Sequence, residues 1–280
     1  MTTQTIERTT PRLPWGRWSI RGAALTYLAV FLVLPLIVVV VDGLGAGVES
    51  ITSVVSSPIA RHAIWLTIWT GLVMALINAV MGLLTAFVLV RYEFPGKTLL
   101  NAVVDLPFAI PTLVTGVMLV ILYGPQAAIG SWLDQHLGWK VIFAPSGIIL
   151  ALLFTSFPFV VRSVQPVLIN LDRSSEEAAA TLGAPAWQIF WRVTLPALMP
   201  ALVSGTLLSF ARAIGEFGAI VVVAGNIPLR SQTAAIYVYG EIESGSQRNA
   251  SAMSLVMLAI ALGTMTLVDW LSRRRQEVQP

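Results

Sequence analysis

An all-α, polytopic membrane protein with six transmembrane helices is the fold class this sequence predicts, and three observations predict it. Charged residues make up 11% of the 280 and hydrophobic ones 56%, whereas a soluble domain is about 25% charged. Mean hydropathy is +0.80. The few charges also cut the chain into six uncharged runs of 19 to 29 residues, at 22–41, 62–90, 106–133, 141–161, 193–211 and 249–268. About 20 helical residues cross a bilayer core of about 30 Å. A spanning strand would instead alternate polar and apolar residues over about ten positions, and no run here alternates.

Taken in order, the predicted spans are 22–41, 64–90, 99–122, 143–164, 199–224 and 249–270. The first follows Arg8, Arg12, Arg17 and Arg21, as the core of a signal peptide would. It is too long for such a core and ends without a small-x-small cleavage site, so it reads as a mature helix between a tail at 1–21 and the rest of the chain. Lys and Arg bias sets the orientation. Arg8, Arg12, Arg17, Arg21, Arg91, Lys97, Arg162, Arg173, Arg192, Arg273, Arg274 and Arg275 fall on one side, against Arg61, Lys140, Arg230 and Arg248 on the other. Both termini, including the tail at 271–280, are therefore expected in the cytoplasm, and the span count is even. The stretch 217–229 is uncharged for only 13 residues, too short to cross alone.

Composition excludes an ordinary soluble enzyme, a disordered chain and a nucleic-acid binder. With no Cys, disulfides, Cys-ligated zinc and thiol catalysis are excluded too. His62 and His136 make neither an H-E-x-x-H zinc pair nor an intramembrane Ser–His pair, so no catalytic or metal-ligating set is expected. Gly96-Lys97-Thr98 resembles the end of a phosphate-binding loop, but Arg91 stands where its first Gly is needed and a membrane helix precedes it, so no nucleotide site is expected. Pro35, Pro107, Pro111 and Pro158 lie inside apolar runs, as kinks or hinges. Gly71, Gly82, Gly116 and Gly205 permit close helix contact.

The connection between spans 4 and 5 is the most informative segment. Ser174 with Glu177 three residues on reads as a capping box. Ala178, Ala179, Ala180 and Leu182 favour helix, and Gly183 suits the left-handed residue that ends it. Pro185 can open a second helix, which would carry Trp187, Phe190 and Trp191 on one face, with Pro196 marking re-entry into the membrane. Such a helix-turn-helix is either an amphipathic connector lying on the membrane surface or a knob whose small side chains let a partner's backbone come close.

These residues resemble a known family. Glu177-Ala178-Ala179, then Gly183, Val193 and Leu195-Pro196 at their spacing are similar to the EAA signature of ABC-importer permeases, which more often has Ile where Val193 stands. The resemblance covers about residues 60–270, implies the type-1 ABC permease fold, and makes 165–197 the coupling loop that docks on a cytoplasmic ATPase. Leu106 to Thr112, Phe154 to Leu168, Glu176 to Ala184, Ala211 to Ala219 and Ala224 to Pro228 look like the sulfate/thiosulfate permease family of CysT type. Molybdate or tungstate permeases share much of Gly215-Glu216-Phe217-Gly218 and are the alternative, as is an ion-gradient-driven secondary transporter with Glu216 as its acidic residue. The resemblance implies a bacterial inner-membrane permease subunit that is not itself an enzyme. Its implied partners are a second permease of CysW type, two ATPase subunits that use ATP and Mg, and a periplasmic or lipid-anchored sulfate-binding protein.

Two charges lie in the fifth span. Arg212 and Glu216 are four apart, one above the other on a helix. Buried charges in membranes are paired or face a wet cavity, so they form either a structural ion pair or part of a gate or anion path. Thr112, Thr115 and Ser209 are candidate hydroxyls for that path. Asp105 and Asp269, near span ends, are expected in water.

Overall fold

A computed structural model of the chain describes residues 15–45 and 48–276, with the side chains of 15–18, 48, 50 and 267–276 left aside. Most of the expected basic tails, with Asp269, Arg273, Arg274 and Arg275, therefore lie outside the described side chains. Among the described residues the secondary structure is helical throughout: α1 (Trp15–Leu28), a π-helical turn (Ala29–Val33), α2 (Leu34–Gly43), α3 (Val48–Ser56), α4 (Pro58–Arg91), α5 (Lys97–Ala109), α6 (Thr112–Tyr123), α7 (Ala128–Leu137), α8 (Pro145–Asn170), α9 (Ser174–Thr181), α10 (Ala186–Ile189), a second π turn (Phe190–Thr194), α11 (Leu195–Ile214), α12 (Gly218–Ala224), α13 (Ala234–Glu243) and α14 (Gln247–Gln276). Five helices among the described residues are long and apolar enough to cross a membrane, and α5 with α6, counted as one bent span, makes six.

Helix α4 explains how apolar helices choose an inner face. Its core-facing residues are mostly small or polar, including Ala60, Ala63, Thr67, Thr70, Gly71, Ala75, Asn78 and Gly82. Leu72, Leu76, Val80 and Leu84, one helical turn apart, are half exposed or more. In lipid both faces are apolar, so packing rather than water decides, and small residues win the interface because they let backbones approach. A methyl carbon on Gly82 would sit 2.7 Å from Val160 of α8. One on Gly205 of α11 would sit 2.7 Å from Ser163 of α8, and one on Gly71 would sit 3.1 Å from the Phe210 ring of α11. These contacts draw α4, α8 and α11 together around two buried clusters, one with Met74, Ile148 and Leu152 and the other with Val160, Val161 and Leu198. Helix α14 packs on α11 and α13 and also on α2 of the first span, where Ser251 donates to Asp42 at 2.6 Å.

Pro107, Pro158, Pro166 and Pro200 sit inside α-helices, and three other prolines mark irregular backbone. The expected straight span 99–122 is broken: α5 and α6 meet at 110°. Ile110, with φ −84° and ψ 126°, is extended, as a residue before proline prefers, and Pro111 offers no N–H to continue the helix. Pro35 and Pro196 break nothing. Each is the second residue after a π turn, and Leu34 and Leu195 donate five residues back, to Ala29 and Phe190. The wider turn makes room for the proline ring, which would otherwise meet the carbonyl of the preceding turn. The fifth span is accordingly Ala186–Ile214 rather than 199–224. It stops at Gly215, and α12 is a separate short helix against α6.

Gly82→Leu should force α4 and α8 apart, at a cost of about 1 to 3 kcal/mol for overpacking. Leu76→Val on the outer face should be nearly neutral. Thermal unfolding in detergent compares them, and equal midpoints would contradict the small-residue seam.

Candidate functional site

The residues flagged between spans 4 and 5 form an elbow standing clear of the bundle. Helix α8 runs on to Asn170 and α10 begins at Ala186, so the elbow is short. Its first helix, α9, contains no buried residue. The expected Ser174 cap is corrected: Ser174 lies inside α9, and Asp172 accepts from the Ser174 backbone N–H at 3.0 Å and from its hydroxyl at 2.6 Å. The N-cap position is Arg173, which has no capping side chain, and Asp172 instead closes the chain just before it in an Asx turn. The two bonds from Ser174 hold the Asp172 carboxyl below its ordinary value. A lowered value means this turn is in force above the usual carboxylate range and is lost as acid protonates Asp172.

The other end of α9 closes as expected at Gly183. Its φ is +84°, Ala184 N–H bonds back to the Ala179 carbonyl at 3.1 Å, and Gly183 N–H to that of Ala180 at 2.9 Å. This pair of bonds is the Schellman closure, which wants a residue without Cβ. Open space surrounds Gly183, and the neighbouring Leu182 is 89% exposed. Glu177 and Ala178 are exposed and Ala179 half-buried, whereas Val193 and Leu195 are half-buried and Pro196 exposed. The aromatic face differs from expectation: Trp187 and Trp191 are exposed, while Phe190 turns inward, edge-on to Phe87 at 5.5 Å. Phe190 also meets Trp191 edge-on at 5.6 Å, so it bridges from the exposed tryptophan to the core.

One elbow contact was not legible in the sequence. Glu176 Oε1 accepts from Arg91 Nη2 at 2.7 Å and from Thr194 Oγ1 at 2.7 Å. Arg91 ends α4 and Thr194 ends the second π turn. Beneath the elbow lies a cavity of about 450 Å³ lined by Phe87, Arg91, Glu176, Ala180, Phe190 and Thr194, among others.

Arg212 lies in the last turn of the fifth span, but Glu216 follows the helix end at Ile214 rather than sitting above Arg212 on the same helix as expected. Arg212 Nη2 is still 2.8 Å from Glu216 Oε2, with the Glu216 side chain 1% exposed and that of Arg212 36%. Glu216 Oε1 also accepts the Ala219 N–H at 3.0 Å. Its carboxylate therefore tethers the start of α12 as well as balancing Arg212. A side chain on Gly218 would collide with the Thr112 hydroxyl, so Thr112 stands beside the same break in the chain. The other two hydroxyls do not join an open surface. Ser209 is fully buried and donates to the Ser156 carbonyl at 3.2 Å, facing a helix of its own chain. Thr115 is also buried, and its hydroxyl has no hydrogen-bond partner among the described residues.

Asp105 is half exposed, as expected near a span end, and is paired as well. Arg162 Nε donates to Asp105 Oδ1 at 2.8 Å and Arg162 Nη2 to Oδ2 at 2.5 Å. The same guanidinium reaches the Asn101 side chain at 2.9 Å, the Asn101 carbonyl at 3.0 Å, and Gln165. It ties α5 to α8 just before the 110° bend. Lys97 of the apparent phosphate loop pairs with Glu93 at 2.7 Å. His136 Nδ1 lies 3.0 Å from the Trp132 carbonyl, and no group of His, Asp and Glu among the described residues could hold a metal ion.

Spanning helices joined by small-residue seams, with one exposed elbow, define an integral membrane protein of permease architecture. The chain belongs to the family of binding-protein-dependent transport system inner membrane components, matched over residues 78–277. It is 42% identical to the probable sulfate transport system permease protein cysT of Nephroselmis olivacea, over 93% of this chain and 90% of that one. It is 41% identical to the sulfate transport system permease protein CysT of Escherichia coli K12, over 90% and 91%. In fold it is similar to a chain of the bacterial alginate ABC transporter solved with its alginate pentasaccharide-bound periplasmic protein, at TM-score 0.78 and 17% identity, over 93% and 95%. A chain of the MetNI methionine ABC transporter in inward-facing form matches at TM-score 0.59 and 18% identity, over 77% and 95%.

Asp105→Ala should unpair Arg162 and weaken the α5–α8 tie by about 1 kcal/mol, a value discounted because both side chains reach solvent. A thermal midpoint in detergent unchanged from the parent would show that the tie carries no stability.

Proposed function

We propose that this chain is one permease half of an ATP-driven importer that carries sulfate or thiosulfate into the cytoplasm, with both termini cytoplasmic. The observation that carries the reading is the elbow: closed by local hydrogen bonds at both ends, free of buried residues in its first helix, and tipped by an apolar Leu182 that is almost wholly exposed. A leucine in that position is suited to a partner's cleft. Names of the relatives at about 40% identity support sulfate as the anion.

In this reading a second permease of CysW type completes the pathway. Two ATPase subunits, which use ATP and Mg, dock on the elbows, with contacts from Glu177, Ala178, Ala179 and Gly183. A periplasmic or lipid-anchored binding protein delivers the anion. Closure of the ATPase pair draws the elbows together and opens the permeases outward, and hydrolysis restores the inward state. Neither state is reached unless partners bind the two differently. Arg212 is paired with Glu216 yet keeps about a third of its side chain exposed in an apolar span, so it faces the second permease or the anion path, with Thr112 beside it. One such cation is too little to hold a dianion, which fits a permease whose affinity resides in the binding protein. The use of Glu216 as a tether for α12 disfavours a proton- or sodium-driven carrier, where that carboxylate would have to be free to cycle.

Reconstituted with its partners, the complex should take up labelled sulfate only with ATP, with thiosulfate competing and molybdate competing poorly. Uptake that continues on a proton gradient without the ATPase would overturn the reading, and strong competition by molybdate would reassign the anion. Gly183→Val forces a branched residue into the left-handed region, at about 1 to 2 kcal/mol. It should leave insertion intact and lower uptake roughly tenfold, a free-energy loss of that size. Normal uptake and normal stimulated ATPase activity in that variant would remove the docking role.

A further inference from the structure

We infer that Glu176 is the strut through which the elbow moves the bundle, a positioning residue for transport. The inference rests on the docking role proposed for the elbow. Helix α9 buries nothing, so apolar packing cannot hold it, and the cavity of about 450 Å³ beneath it leaves the elbow standing off the bundle. Among the described residues, the side-chain hydrogen bonds that cross that gap meet on one carboxylate oxygen. Glu176 Oε1 takes the Arg91 guanidinium and the Thr194 hydroxyl together, each at 2.7 Å. The environment favours strong bonds: Thr194 is 3% exposed, and the side chains of Arg91 and Glu176 are 10% and 20% exposed. A charge-assisted bond in such a partly dry site is stronger than one on the surface.

The two anchors are placed to receive a displacement. Arg91 is the last residue of α4, a rod of 34 residues that packs along α8 and α11. Thr194 closes the π turn that leads into α11. The chain itself joins α9 to α8 through Leu171, Asp172 and Arg173. A push on α9 therefore reaches α4, α8 and α11 together, the three helices of the central core. Without the strut the elbow would hang by its two chain connections and could tilt into the cavity while the helices stayed in place. Glu177, one position on, is exposed at the rim of the same cavity and is left for the partner.

The test uses the reconstituted complex and reads two quantities, ATPase binding and anions transported per ATP hydrolysed. E176A should bind the ATPase as the parent does and continue to hydrolyse ATP, while anions per ATP fall roughly tenfold, within the usual range of coupling energies. E176Q keeps an oxygen acceptor for both donors and should recover most of the loss. Should E176A fail to insert, Thr194→Val, which removes one donor, gives the same reading with a smaller fall. Unchanged anions per ATP in these variants would overturn the strut, as would E176Q no better than E176A, or loss of ATPase binding in E176A. If E176A is normal while Gly183→Val uncouples, the strut alone fails. If both are normal, the docking reading fails with it.

Discussion

The close approach of α4, α8 and α11 is the contact on which the rest of the structure depends. At Gly82 and Gly205 a single added carbon would already collide with α8. In a bilayer the helices gain little from leaving their surroundings, because lipid is as apolar as leucine, and association must come from packing. Those glycines supply it by letting backbones come near enough for extended van der Waals contact. The elbow inherits its position from this core, since it leaves from α8 and returns into α11. The tie from Glu176 to Arg91 adds the third helix of the same group.

The polar groups follow from the same constraint. Lipid offers no hydrogen bonds, so every departure from regular helix must be satisfied within the protein. The two π turns widen the backbone ahead of Pro35 and Pro196 while keeping the hydrogen-bond chain continuous. The bend at Pro111 is braced nearby by the Arg162 cluster on Asp105, Asn101 and Gln165. The gap between α11 and α12 is bridged by Glu216, which accepts from Ala219 and faces Arg212. Each of these irregularities thus carries its own partner.

Much of this was legible in the sequence because it is local. The uncharged runs located the spans, and the Ala-rich stretch followed by Gly183 located the elbow and its left-handed residue. Reading went astray where several local outcomes compete. Asp172 and Ser174 can each accept a backbone N–H near a helix start, and only three-dimensional geometry shows that Asp172 does so, from the residue before the cap. Pro111 breaks a helix and Pro196 does not, although both sit in apolar runs, because a π turn before Pro196 absorbs the ring. Long-range pairs were invisible: Arg162 lies 57 residues from Asp105, and Arg91 lies 85 from Glu176. A count of charges by side assigns such residues an orientation but cannot say which acid each will meet. Ser209 misled for a similar reason, since an apolar helix does not announce which of its faces meets its own chain.

The account's central claim is that the tip of the elbow stands in the cytoplasm and is covered by the ATPase. Because the chain has no cysteine, Leu182→Cys gives a single thiol at that tip. Labelling it with a membrane-impermeant maleimide in inside-out vesicles, with and without the ATPase subunits, is the most direct measurement. Rapid labelling that the ATPase suppresses is the predicted result. Labelling only from the opposite face, or equal labelling with and without the ATPase, would contradict the account.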